Sequence, residues 1–246
     1  MSDSKQLNNV LEQVTRDLQN ALGSNLVSLL LYGSHARTDA HERSDVNLFL
    51  VVRDGSVKSL APLLKFVPGW MKQGVTAPVI FEQNQLARSF DTFALEFLEM
   101  TAARKVLAGE DPFANFTPDW RAVRWELEQE AREKTTALQR RWLASGEKDK
   151  LLRATIAETV PGYLAIMRGT LHLQRRNTVP IPTREIFDGA IHWPGFDPQV
   201  WKKLWEADKG MHIPSTSALS QLMRDYLEQA RTLVRHIDGL LDKEGT

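Results

Sequence analysis

Two short aliphatic runs constrain the fold of this chain more than any other feature. Residues 27–32 and 46–52 are rich in Val and Leu and are bounded by Gly, Ser and Asp, which is typical of strands buried on at least one face. A hydrophilic segment that begins with Gly33-Ser34 separates the two runs. The pattern predicts a strand, a tight turn, a polar loop and a second strand.

Helical periodicity and two further apolar runs surround this pair of strands. Apolar residues between 7 and 22 recur at steps of three and four, which predicts an amphipathic helix that ends near Gly23. Residues 78–81 and 93–100 are candidate strands, although the composition of the second run also fits a helix. A short helix is expected between them, over 84–88.

Beyond a stretch rich in Gly, Pro and turn formers at 109–119, helical patterns dominate. One helix is expected to end near Gly146, and a second pattern covers 151–176, where Pro161 is positioned to kink it. Further helices are expected from Thr183 and over 215–241. The predicted fold class is therefore α+β: a small mixed-sheet domain followed by an all-helical domain.

Composition narrows the classes of function. The 246 residues include no cysteine, so thiolate metal sites, redox pairs and disulfides are excluded and any bound metal is expected to be a hard cation. There are 11 basic and 13 acidic residues up to residue 115, and 20 and 18 after it, so neither half has the basic excess of a nucleic-acid-binding domain. The polar start and the shortness of every apolar run predict a cytoplasmic protein that does not enter a membrane.

The segment from residue 31 to 52 carries the chemistry. Because side chains alternate along a strand, Asp45 and Asn47 are expected to face the same side. Gly33 allows a backbone to approach a phosphate closely, Ser34 can donate a hydrogen bond to it, and a carboxylate can hold a magnesium ion that bridges phosphate oxygens. These residue types are the parts of a nucleotidyl-transfer site.

This segment resembles the nucleotidyltransferase superfamily of the DNA polymerase β type. The pattern of that superfamily is Gly-Ser or Gly-Gly, a spacer of about nine to thirteen residues, and Asp-hydrophobic-Asp/Glu on a strand. The layout of a small catalytic domain before a helical one is similar to the aminoglycoside adenylyltransferase branch. In addition, residues 109–113 look like the Gly-x-Asp-Pro turn that many such proteins carry after the catalytic sheet.

The resemblance implies roles for individual residues and one departure from the family. Asp45 would bind magnesium, but the second metal carboxylate of the family is Asn47 here, and an amide oxygen brings no charge. The family places a third acidic residue on a later strand, for which Glu96 is the candidate. The further candidates for that third carboxylate are Glu99 and Glu82.

The loop after the Gly-Ser turn contains four basic or titratable side chains that could hold triphosphate oxygens as charge-assisted donors. Arg37 is nearest to the turn and is the candidate phosphate ligand, beside Gly33 and Ser34. The other three are His35, His41 and Arg43.

The resemblance implies a magnesium-dependent enzyme with a nucleotidyltransferase-like domain at 1–115 and a helical substrate or partner domain at 116–246. It would move AMP from ATP to a hydroxyl of a small molecule or a protein. The alternative is a catalytically degenerate member that binds a nucleotide or a partner protein as a regulatory module. The sequence leaves open the acceptor, the nucleotide preference and the oligomeric state.

Overall fold

The computed structural model describes residues 2–37, 39–40, 44–211 and 215–241. The chain divides into two compact units, Met1–Asp119 and Trp120–Thr246. The domain boundary expected at residue 115 falls in the turn-rich stretch just before this division. The first unit contains the sheet, and the second is helical, which confirms the predicted fold class.

The N-terminal unit is a four-stranded mixed sheet with helices. Its elements are α1 (Ser2–Leu22), β1 (Leu26–Tyr32), α2 (Ser34–Arg37), β2 (Asn47–Val52), α3 (Val57–Leu60), α4 (Val67–Met71), β3 (Val79–Glu82), α5 (Gln83–Leu86), α6 (Ala94–Ala102) and β4 (Arg104–Gly109). The strand order is β3-β2-β1-β4. Strand β1 is antiparallel to both β2 and β4, whereas β2 and β3 are parallel. The two aliphatic runs are both strands, as their composition predicts, and they are adjacent in the sheet.

Each face of the sheet is covered by its own apolar cluster. On one face, α1 and Trp70 of α4 pack against side chains such as Leu48 and Leu50. On the other face, Phe97 and Met100 of α6 pack against Phe49. Because neighbouring strand residues point to opposite faces, the odd-numbered residues of β2 face α6 and the even-numbered ones face α1.

The expected strand at residues 93–100 is wrong, because Ala94–Ala102 forms helix α6. The run contains Ala, Leu, Glu and Met, which are strong helix formers, and it has no β-branched residue before Thr101. Its buried residues include Ala94, Leu95, Phe97 and Leu98, a helical spacing. The fourth strand is instead β4, Arg104–Gly109, which follows α6 directly and which the sequence pattern does not indicate.

The C-terminal unit consists of long helices. Its elements are α7 (Trp120–Ser145), α8 (Asp149–Arg175), α9 (Thr183–Ala190), α10 (Pro198–Asp208) and α11 (Thr216–Leu241). The helices expected near Gly146, from Thr183 and over 215–241 are confirmed, and α8 continues through Pro161. Helix α10 is an addition that the predicted pattern lacks. Its start carries a recognisable signal, because Asp197 caps it and Pro198 opens it.

An aromatic cluster forms part of the core of this helical unit. Tyr163 of α8, Trp201 of α10 and Tyr226 of α11 are all buried and make tilted or edge-on ring contacts, with centroids 5.3–5.8 Å apart. The Tyr163 hydroxyl lies 3.1 Å from the Thr135 hydroxyl on α7, so these two buried hydroxyl groups are hydrogen-bonded to each other. Within the described ranges, no helix is both long and apolar enough to span a bilayer.

Candidate functional site

The turn after β1 brings its backbone close to the start of β2. Gly33 has φ +81°, a left-handed conformation that side-chain-bearing residues adopt only with strain. A Cβ at this position would lie 3.3 Å from the amide nitrogen of Asn47. The Gly33 carbonyl then accepts hydrogen bonds from the backbone N–H groups of Ala36 and Arg37, which closes the single turn of α2. The sequence therefore needs glycine here for conformation as well as for space.

Asp45 and Asn47 flank a residue that anchors the start of β2. Val46 between them is buried in the α1 cluster, so strand alternation turns Asp45 and Asn47 toward the α6 face. Asp45 is exposed and Asn47 is half-buried. Asn47 is also the cross-strand partner of Tyr32, the last residue of β1. The structure thus places Asn47 directly beside the Gly33 turn.

Asn47 is held by a residue that sequence reasoning missed. The Thr76 hydroxyl lies 3.2 Å from the Asn47 side-chain oxygen and 3.3 Å from the Val46 carbonyl oxygen, and its one proton is shared between these two acceptors. Thr76 lies in the segment that leads into β3, which runs parallel to β2. No local sequence pattern predicts the parallel pairing of β2 with β3. The sequence around Thr76 therefore could not have identified this residue as a partner of Asn47.

No candidate for the third carboxylate lies beside Asn47 on β3. The resemblance calls for an acidic residue on a later strand, yet residues 75–79, which enter β3 beside Asn47, are Val, Thr, Ala, Pro and Val. Glu82 ends β3 opposite Val52, five residues along β2 from Asn47 and hence about 16 Å from it. Its carboxylate accepts hydrogen bonds from the Gly55 N–H and from Gln85. Glu82 therefore lies at the end of the sheet opposite to Asn47 and the Gly33 turn.

Glu96 and Glu99 lie on α6 and not on a strand. They are three residues apart, so they share one side of the helix. Burial raises the pKa of the Tyr32 hydroxyl, and the negative charge of Glu96 raises it further, which places Glu96 near the end of β1. Glu96 is exposed. Both glutamates therefore belong to the end of the sheet that carries the Gly33 turn.

Arg37 is engaged by two carboxylates. Its guanidinium donates a hydrogen bond of 3.3 Å to Glu99 and lies 3.4 Å from the Asp39 carboxylate. The side chains of Arg37 and Glu99 are 9% and 16% exposed. His35 lies 3.1 Å, through its Nε2, from the Ser44 carbonyl. The candidates His41 and Arg43 lie outside the described residues.

The Gly-x-Asp-Pro segment is hydrogen-bonded to β4, the strand beside the Gly33 turn. The Asp111 carboxylate accepts hydrogen bonds from the Arg104 guanidinium at 2.7–3.0 Å and from the Phe113 N–H at 3.0 Å. Burial raises the pKa of Asp111, but the hydrogen bonds and the charge of Arg104 outweigh it and hold that pKa below its ordinary value. Residue 104 pairs with Tyr32, and the Ala103 carbonyl accepts a hydrogen bond from the Gly33 N–H.

The number of oxygen ligands near the Gly33 turn determines how a magnesium ion could be bound there. Two magnesium ions held side by side need several protein carboxylates, and among the described residues no three His, Asp or Glu side chains group to hold a metal. A single magnesium ion that arrives on a triphosphate needs only one or two protein carboxylates. Asp45 could supply one carboxylate, and the Asn47 oxygen could add a neutral ligand. As far as the described residues go, these side chains would suit one cation that arrives on a phosphate better than a pair held by the protein alone.

Comparison with known proteins supports the nucleotidyltransferase fold. No protein-family model matches the chain. The structure superposes on spectinomycin adenyltransferase AAD(9) from Enterococcus faecialis, solved with ATP and spectinomycin, with a TM-score of 0.62 at 14% identity, over 94% of this chain and 98% of that one. A likeness at this level of identity establishes the fold alone, and this is the fold that the sequence resemblance predicts.

A sequence match points the same way. The chain is 38% identical over 52 residues to a Methanocaldococcus jannaschii protein named "Putative protein adenylyltransferase MJ1305". The match covers 21% of this chain and spans about a third, 35%, of the archaeal relative. Together, the two comparisons show a nucleotidyltransferase fold and, over one segment, sequence similarity to a protein named as an adenylyltransferase.

Proposed function

We propose that this chain binds ATP at the turn formed by Gly33 and Ser34 and transfers AMP to a hydroxyl of a small molecule or a protein. The observation that carries the proposal is the approach of this turn to the start of β2, where Asp45 is exposed. Both the structural neighbour and the sequence relative are named as adenylyl-transferring proteins, which favours ATP as the donor.

Each residue of the site has a definite role in this proposal. Gly33 lets the phosphates approach the backbone, and the Ser34 hydroxyl donates a hydrogen bond to them. Asp45, with the neutral oxygen of Asn47, would hold a nucleotide-borne magnesium ion, which supplies neutralisation of the phosphate charge. Glu96 is the proposed base, because it is exposed and lies near Tyr32 at the end of β1, where the Gly33 turn begins.

The proposed reaction is a displacement at the α-phosphorus. The acceptor oxygen forms a bond to that phosphorus, the bond to the bridging oxygen breaks, and pyrophosphate leaves. The hydroxyl proton goes to the Glu96 carboxylate. The residues of this chain would contribute mainly by positioning the reactants and neutralising charge.

A second candidate function is a nucleotide-binding regulatory module without transfer. The hydrogen-bonded pair of Asn47 and Thr76 favours it, because two neutral side chains occupy the strand ends where the resemblance calls for carboxylates. Such a module would keep the turn and the fold but would not stabilise the charge that develops during transfer.

Titration of ATP with and without magnesium tests the proposal. We expect the wild type to bind ATP more tightly with magnesium, and Asp45→Ala to lose this dependence. Asn47→Asp should strengthen it, because the Thr76 hydroxyl can donate to a carboxylate as it does to the amide. Asn84→Asp is the matched control, since it adds the same charge on exposed α5. Absence of ATP binding by the wild type would contradict both candidate functions.

Release of pyrophosphate separates the two candidates. A transferase should release it from ATP when a suitable hydroxyl acceptor is present, and Glu96→Gln should slow that release with little effect on ATP affinity. A regulatory module should bind ATP with every acceptor tested and release no pyrophosphate. Appearance of activity only in Asn47→Asp would identify a site that lost transfer through that one side chain.

A further inference from the structure

We infer that Arg37 is a positioning residue that fastens the turn after β1 to helix α6, and that it does not bind the phosphates itself. The inference rests on the proposed nucleotide site and changes the role that the sequence gives to this arginine. Arg37 follows the turn closely, which makes it resemble a phosphate ligand, but the contacts of its side chain point to a different role.

The Arg37 guanidinium is directed toward carboxylates of the protein. It donates to Glu99 on α6 at 3.3 Å and lies 3.4 Å from Asp39, two residues further along its own loop. Only 9% of the Arg37 side chain is exposed, as are 15% and 16% of the Asp39 and Glu99 side chains. A phosphate that took over these two guanidinium nitrogens would displace two carboxylates whose charges are largely shielded from water.

The backbone of Arg37 completes the connection. Its N–H donates to the Gly33 carbonyl at 2.9 Å, so the residue is part of the turn that is proposed to receive the phosphates. Its side chain reaches Glu99, which lies one helical turn beyond Glu96 on the same side of α6. Arg37 thus links the proposed phosphate-binding turn to the helix that carries the proposed base.

The variant Glu99→Gln distinguishes the two roles by the sign of its effect. If Arg37 were a phosphate ligand restrained by Glu99, loss of the negative charge would free it and strengthen ATP binding. If Arg37 positions the turn, loss of its partner loosens the turn and weakens ATP binding. We expect the affinity to fall by about threefold to tenfold. Glu12→Gln is the control, because it removes the same charge from an exposed ion pair on α1 of the same unit and should leave the affinity unchanged.

A melting-temperature cycle tests the link without any nucleotide. Arg37→Gln and Glu99→Gln should each lower the melting temperature, by about 5 °C, because each removes one member of an ion pair that is largely shielded from water. The double variant should be no less stable than the less stable single variant. If the wild type bound no ATP, the proposed function would fail while this cycle still tested the link between Arg37 and Glu99. Stronger ATP binding by Glu99→Gln, or additive losses in the cycle, would overturn the inference.

Discussion

At the scale of single residues, Gly33 combines a conformational and a steric requirement. Gly33→Ala should destabilise the protein by about 1–2 kcal/mol, because alanine at φ +81° is strained and its Cβ would press on the Asn47 amide. Chemical denaturation measures this loss, and Gly74→Ala is a useful control, since φ is also +81° there but the space around it is open. The ATP affinity should fall in Gly33→Ala alone; an equal fall in Gly74→Ala would argue against a specific role of the turn.

The neutral side chains of Asn47, at the start of β2, and Thr76, in the segment before β3, lead to a second residue-level prediction. Replacing both side chains, as Asn47→Asp with Thr76→Glu, would place two carboxylates beside Asp45. We expect this double variant to bind Mn²⁺ in the absence of nucleotide, because hard divalent cations prefer several carboxylate oxygens. Titration calorimetry with the wild type as reference measures the gain. No Mn²⁺ binding would mean that the strand ends do not converge on Asp45.

Individual residues show why sequence reasoning succeeds in one part of the site and fails in another. The placement of Asn47 beside Gly33 was predictable, because both belong to one continuous strand-turn-strand segment. Side chains alternate along its strands, which determines the face of the sheet toward which each one points. Thr76 was not predictable, since it reaches Asn47 only through a parallel pairing between segments almost thirty residues apart. The roles of Asp45, Ser34 and Glu96 in binding and transfer stay predictions.

At the scale of secondary-structure elements, the ion pair of Arg104 and Asp111 ties β4 to the turn that follows it. A carboxyl whose pKa is lowered by folding stabilises the native state above its ordinary pKa of about 3.9, and this contribution is lost as the pH falls through the lower native value. Asp111→Asn should therefore lower stability at neutral pH and lessen its decline below about pH 4. Urea unfolding from pH 2 to 7 measures both effects; an unchanged pH profile would contradict this role.

Tyr163, a buried tyrosine of α8, leads to a corresponding prediction for stability at alkaline pH. Burial raises the pKa of Tyr163 to about 12, and the hydrogen bond with Thr135 lowers it only in part. A raised native pKa means that the stabilisation is complete below the ordinary value of 10.0 and is lost as the pH rises to about 12. Tyr163→Phe should cost about 1 kcal/mol at pH 7 through the lost hydrogen bond and should lessen the alkaline decline. Denaturation at pH 7, 10 and 11.5 measures this, and an unchanged alkaline slope would contradict it.

Among the elements, helix α6 shows the limit of reading short apolar runs. Residues 93–100 fit a strand in length and apolar content, although their composition also fits a helix, and the packing of Phe97 of α6 against the sheet agrees with the helix. Phe97 contacts Phe49, Phe81 and Phe113, whose rings lie 5.4–6.2 Å away. A run this short carries too few helical periods to exclude a strand, whereas longer helices such as α7 and α11 carry enough periods to be predicted from the sequence alone.

At the scale of the whole molecule, each of the two units has its own core. In the first unit, apolar clusters cover both faces of the sheet, and in the second, buried aromatic and aliphatic side chains join the long helices. The segments proposed to bind ATP, β1, the turn and the start of β2, all belong to the first unit. A ligand that binds only the native state stabilises the part of the chain whose opening destroys its site.

Hydrogen exchange with and without ATP therefore localises the site. At ATP concentrations about a hundred times the dissociation constant, the site should be stabilised by about 2.7 kcal/mol, so amides of β1 and β2 that exchange by opening of the first unit should slow about a hundredfold. Asp45→Ala under the same conditions is the control for magnesium-dependent binding. Slowing of α7 and α8 to the same extent would show that both units open together. No slowing of β1 and β2 at saturation would place the nucleotide elsewhere, because amides cannot exchange through an opening that a bound ligand prevents.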